Sequence, residues 1–207
     1  MKYSFSIILF IIALAASAQE FDARFKLKNL GRKVNTGFHE GAPVVSADGK
    51  TLYFFVKNHP QNAYGKDNSQ DIWVSHLDDS GVWGPAERLG APLNNNRSNQ
   101  VFTVMPDANT LLIMGGSGKN SAGFSFTHRS GDSWSQPEEV KVNDFKKMNK
   151  GKFYGATMSA TGDYMVLYFS EKENSTFSDL YLTKREGDGW SRQIKIAAPL
   201  NNRRDEY

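Results

Sequence analysis

Three stretches of this chain repeat one another, and that repetition limits its fold more tightly than anything else in the 207 residues. The first runs Ala42-Pro-Val-Val-Ser-Ala-Asp-Gly-Lys-Thr-Leu-Tyr-Phe-Phe55. The second is Val101-Phe-Thr-Val-Met-Pro-Asp-Ala-Asn-Thr-Leu-Leu-Ile113, and the third Gly155-Ala-Thr-Met-Ser-Ala-Thr-Gly-Asp-Tyr-Met-Val-Leu167. In each, an alternating segment meets a turn and a more apolar segment follows, the pattern of two paired strands. After a loop of variable length come third segments at 71–77, 123–129 and 179–185. A Gly-containing turn then leads to Trp83, Trp134 or Trp190, and a fourth segment ends at Asn94, Asn143 or Asn201. The tryptophans stand 51 and 56 residues apart, and the third segment begins 12, 11 and 11 residues before its tryptophan.

Four antiparallel strands repeated at this interval predict an all-β chain built as a β-propeller. A single four-stranded blade leaves two apolar faces in water, whereas blades stacked around an axis cover both. The expected blades are 36–94, 95–143 and 144–201. Leu30-Gly-Arg-Lys-Val-Asn35 is similar to Leu89-Gly-Ala-Pro-Leu-Asn94 and Ile196-Ala-Ala-Pro-Leu-Asn201, each at a handover between units. Residues 24–34 are therefore expected to be an outer strand that closes the last blade. Residues 202–207 are expected to enter a further blade. Three blades are fewer than the usual four to eight. The expectation is an incomplete ring: a truncated or fragmentary chain, or one completed by another copy.

The first eighteen residues read as an export leader: Lys2, the apolar run Ile7–Ala16, and the cleavage pattern Ala16-Ser17-Ala18. The run is too short for a membrane span, which needs roughly 20 apolar residues. Export to the periplasm, the outer membrane or the exterior is the expected destination. The chain has no cysteine, which excludes disulfides, thiol catalysis and a lipidated cysteine after the leader. A net charge of +3 with interspersed signs forms no phosphate-tracking stripe, so a nucleic-acid partner is not expected.

The core Ser46-Ala-Asp-Gly-Lys-Thr-Leu-Tyr-Phe54, with Asp71-Ile-Trp-Val74, resembles the WD-like, TolB-type periplasmic propeller repeats. The layout, including Gly41-Ala-Pro-Val-Val45 and Trp83-Gly-Pro85, is similar to the N-terminal propeller of OmpA-family envelope proteins. The resemblance implies a fold and a place in the envelope. It names no ligand, and no OmpA-type peptidoglycan-binding domain lies within these residues.

Individual motifs yield little chemistry. Asp48-Gly49 is one position out of step with a sialidase Asp box and reads as a type I′ hairpin turn. His76 and His128 hold equivalent third-strand positions, where a shared site competes with two solvent-facing strand residues. The four histidines form no helical zinc motif. Asp67-Asn-Ser-Gln-Asp71 lacks the glycine and distal glutamate of a calcium loop. Gly115-Gly-Ser-Gly118 lacks the end of a phosphate loop and reads as a strand connection. The repeated tryptophans serve either as a stacking platform or as packing between strands. No cofactor and no metal site is expected.

The expected function is non-catalytic binding or scaffolding in the bacterial envelope, with a protein or polysaccharide partner. The candidate surface is the long loop 58–70, with His59, Tyr64, Lys66 and Asp67. A glycan-processing hydrolase would need a carboxylate pair on inner strands. Only Glu40 stands out there, matched by Gln100 and Glu206. A structural spacer within a larger envelope protein is the third reading.

Overall fold

A computed structural model describes residues 26–116 and 121–202. The leader expected over 1–18, the start of the strand expected over 24–34, and residues 203–207 lie outside them. The chain is all-β, with three antiparallel sheets in sequence order that form successive propeller blades. The first contains β1 (His39–Val45), β2 (Thr51–Lys57), β3 (Gln70–His76) and β4 (Glu87–Arg88), paired in that order. The second contains β5 (Val101–Val104), β6 (Thr110–Met114), β7 (Phe124–Ser130), β8 (Ser133–Trp134) and β9 (Glu138–Val140). A single helical turn, α1 (Phe145–Met148), precedes the third. That sheet holds β10 (Gly155–Met158), β11 (Tyr164–Phe169), β12 (Asp179–Glu186), β13 (Gly189–Trp190) and β14 (Ile194–Lys195).

The first hairpin of each blade turns through one left-handed residue: Gly49 at φ 73°, Ala108 at 55° and Gly162 at 74°. A type I′ turn requires two successive positive φ values. Asp48 is not left-handed, so the expected type I′ turn is replaced by a longer one. Its closing bonds repeat at 2.9 Å: Ser46 N–H to Thr51 O, Met105 N–H to Thr110 O, and Ser159 N–H to Tyr164 O.

The fourth strand comes in pieces. In the second and third blades, β8 and β9, or β13 and β14, each pair with part of the long third strand. The strand bulges just after the tryptophan, and hydroxyl groups take over where the ladder breaks. Thr127 Oγ1 donates to Ser135 O and Thr183 Oγ1 to Ser191 O, each at 2.8 Å. Ser75 Oγ does the same for Gly84 O at 2.9 Å.

Alternation along the second strands sends residues to opposite faces. Leu52, Phe54 and Val56 cluster with Val34 and Trp73 on the leading face of the first blade. Its trailing face, with Tyr53, Ile72 and Val74, packs on Leu111 and Ile113 of the second. The trailing face of the second, with Leu112, Phe124 and Val140, packs on Met165, Leu167 and Phe169 of the third. Phe145 of α1 is buried in that same interface. Among the described residues nothing covers the third blade's trailing face, where Leu182, Ile194 and Leu200 are exposed.

Packing accounts for the recurring tryptophans. Trp134 lies edge-on to Tyr53 of the preceding blade. Trp190 donates its backbone N–H to Lys141 O across the blade boundary at 2.9 Å. Arginines at equivalent positions, Arg129 and Arg185, cover Trp134 and Trp190 at 4.5 and 5.2 Å from the ring centroids.

Residues 26–34, the described part of the outer strand expected over 24–34, pair with none of the three sheets described. Residues 31–35 instead form a turn, with Asn35 N–H bonded to Gly31 O at 2.9 Å, and Val34 is buried against the first blade.

Candidate functional site

The inner ends of the three blades converge on a cleft of about 1290 Å³. The segments entering each blade supply part of its wall: Phe38 and His39, residues 96–98 with Gln100, and residues 152–154. The ends of the second strands supply Phe55, Met114 and Tyr168, three equivalent repeat positions. Two of these rings depend on glycines opposite them. A Cβ at Gly41 would overlap the Phe55 ring, and one at Gly155 the Tyr168 ring. Gly41 pairs with Phe55 and Gly155 with Tyr168, so each ring lies flat over its neighbouring strand. In the second blade Gln100 and Met114 take these places, and the Gln100 side chain is near enough to Tyr168 to temper the rise of its pKa.

Lys57, Arg97 and Lys152 bring positive charge, and among the described residues the lining contains no carboxylate. Burial pushes the Tyr154 and Tyr168 phenols above their ordinary range, so both remain neutral at physiological pH.

The loop expected to bind ligand is a built structure. Asn62 is buried, and its Nδ2 donates to Val56 O at 2.9 Å while its Oδ1 accepts from Trp73 Nε1 at 3.1 Å. Asp71, fully buried, accepts from Ala63 N–H at 2.7 Å, Arg88 Nε at 2.6 Å and Asn99 Nδ2 at 3.1 Å. This carboxylate joins the loop, the outer strand and the entry to the second blade.

The four loop residues singled out from sequence do different things. His59 sits edge-on between Phe38 and Trp73, each 4.6 Å away, and its Nδ1 accepts from Gln61 N–H at 3.1 Å. Burial holds its pKa below the ordinary value. Tyr64 lies under the Arg97 guanidinium, and Asp67 pairs with Arg97 at 2.9 Å. Lys66 is exposed and does not line the cleft. Tyr64 and Asp67 thus position Arg97, which does line it. Asn58, Asn68 and Gln70 from the same loop region line it as well.

His76 and His128 each face a threonine of their own blade, Thr51 and Thr110, at 3.3 and 3.1 Å. Among the described residues no group of three His, Asp or Glu side chains could hold a metal. Glu40 Oε1 accepts from Thr36 N–H at 2.9 Å and so braces the turn before β1. No helix among the described residues is long and apolar enough to cross a membrane.

Sequence reasoning missed Lys57, Arg97, Phe153, Tyr154 and Tyr168. Aligning the ends of the second strands would have grouped Phe55, Met114 and Tyr168. Their convergence depends on how the blades are placed around the axis.

No family profile matches the sequence, and no curated protein matches it. Among solved structures, TolB from Acinetobacter baumannii superposes with a TM-score of 0.48 at 14% identity, over 79% of this chain and 34% of that one. Puromycin hydrolase gives 0.41 at 11% identity, over 78% and 22%. The β-propeller domain of the Trilobed protease from Pyrococcus furiosus gives 0.39 at 15% identity, over 76% and 43%. The chain thus spans less than half the length of each of these structures.

Proposed function

We propose that this chain is a non-catalytic binding module of the bacterial cell envelope that takes its ligand in the cleft between the three blades. The observation that carries the reading is the lining: aromatic rings, carboxamides and cations converge from all three blades. Its volume exceeds the 300–1,000 Å³ typical of small-molecule sites, which suits a segment of a polymer. Support for export comes from the leader pattern over 1–18, and support for the envelope from the resemblance of the repeat to periplasmic propellers. A hydrolase would need a proton donor and a second carboxylate near the scissile bond. The described lining holds no carboxylate for either role, and Glu40 is engaged with Thr36.

Hydrogen exchange of the protein, with and without solubilised envelope material, tests the reading. The expected result is added protection at residues 55–58, 96–100 and 152–154. Protection confined to the opposite ends of the blades would overturn the site. Turnover of a glycoside that disappears in Glu40→Gln would overturn the non-catalytic reading.

A further inference from the structure

Taking the cleft as the binding site, we infer that its ligand is an acidic polysaccharide, a chain of sugars that carry carboxylates. Three features of the wall each match one part of such a chain. Flat rings match the apolar C–H faces of pyranoses; Phe55 and Tyr168 are seated over glycine backbone, and Phe153 is 58% exposed. Carboxamides, which both donate and accept, match hydroxyl groups, which do the same. Asn58 has its Oδ1 engaged by Ser69 N–H at 3.1 Å, which leaves the NH₂ to donate. Cations match the carboxylates: Lys57 and Lys152 make no ion pair among the described residues. Arg97 is held in place from the side by Asp67 and Tyr64.

A peptide of acidic residues alone would answer the cations and, through its backbone, the amides, but would leave the flat rings without a partner. A neutral glycan would answer the rings and amides and leave two ammonium groups facing an uncharged ligand. A chain that combines sugar faces, hydroxyls and carboxylates meets all three. The three blades each contribute to one continuous wall, so several consecutive sugars would be held together.

Calorimetric titration of the whole protein with polygalacturonate, dextran and poly-glutamate tests this. The expected result is saturable binding of polygalacturonate that weakens with salt, with dextran and poly-glutamate at least about tenfold weaker. Lys57→Gln with Lys152→Gln should weaken polygalacturonate by about tenfold. Phe153→Ala should weaken polygalacturonate and leave poly-glutamate unchanged. All three side chains are exposed, so these variants keep the fold, and thermal melting checks that they do. Poly-glutamate binding as tightly as polygalacturonate, and lost in the lysine variant, would sink the sugar while keeping the cleft as the binding site. Polygalacturonate binding that none of the substitutions changes would sink the cleft along with it.

Discussion

Replacing Leu93 with alanine and, separately, Leu200 with alanine compares one residue in one motif under two tertiary fates. Both leucines follow Ala-Pro and precede an asparagine. Both asparagines grip the third strand in the same way. Asn94 accepts from Ile72 N–H at 2.7 Å and donates to Ile72 O at 2.9 Å; Asn201 treats Leu180 the same way at 2.7 and 2.8 Å. Leu93, 3% exposed, packs between the first two blades against Tyr53, Ile72 and Leu111. Leu200 is 60% exposed on the trailing face of the third. Truncating Leu93 removes about three methylene equivalents at ~0.8 kcal/mol each. The closed interface adds a cavity cost, for a total of about 3 kcal/mol. Truncating Leu200 loses the covered share only, about 1 kcal/mol or less, because water fills the gap. Urea unfolding followed by tryptophan fluorescence reads the difference. With a slope of about 2 kcal/mol per molar, the midpoint should fall by roughly 1.5 M for Leu93→Ala and by less than about 0.5 M for Leu200→Ala. Equal shifts would refute the assignment of burial to blade stacking.

Asp71→Ala removes a fully buried carboxylate with three donors and should cost about 3–5 kcal/mol. Asp179→Ala breaks the equivalent 2.6 Å pair with Lys195, but at a site 29% exposed, and should cost less than about 1 kcal/mol in the same unfolding assay. Ala108→Gly should stabilise by about 0.5–1 kcal/mol, because Ala108 holds the left-handed position that is glycine in the other two blades; a loss in melting temperature would contradict this. His59 should make stability pH-dependent. Burial lowers its folded pKa, so the unfolded chain binds the proton first. The stabilisation is present above about pH 6.5 and is lost as pH falls through the lowered folded value. Melting between pH 7 and 5 should therefore fall more steeply in the wild type than in His59→Gln. Asp48, held below the ordinary carboxylate range by Ser46 Oγ and Lys50 N–H, should add a further loss of stability in acid, absent in Asp48→Asn.

Alternation, turn residues and the spacing of the tryptophans are local properties of the chain, so the sequence by itself determined the four-stranded unit and its threefold repetition. A strand's period of two also settled that Leu52 and Tyr53 face opposite ways. It did not settle which faces meet a neighbour: the same Pro-Leu-Asn triplet buries one leucine and leaves the other exposed, because among the described residues only the first has a blade packed against it. The cleft belongs to tertiary structure for the same reason. Phe55, Gln100 and Phe153 lie far apart along the chain, and no local preference says that their side chains share one wall. The direction of each is set by its strand, but their convergence is set by the angle at which one blade packs on the next. The long loop shows both limits. Its polar composition marks it as a connection, yet the buried bonds of Asn62 and Asp71 turn it into a support for Arg97.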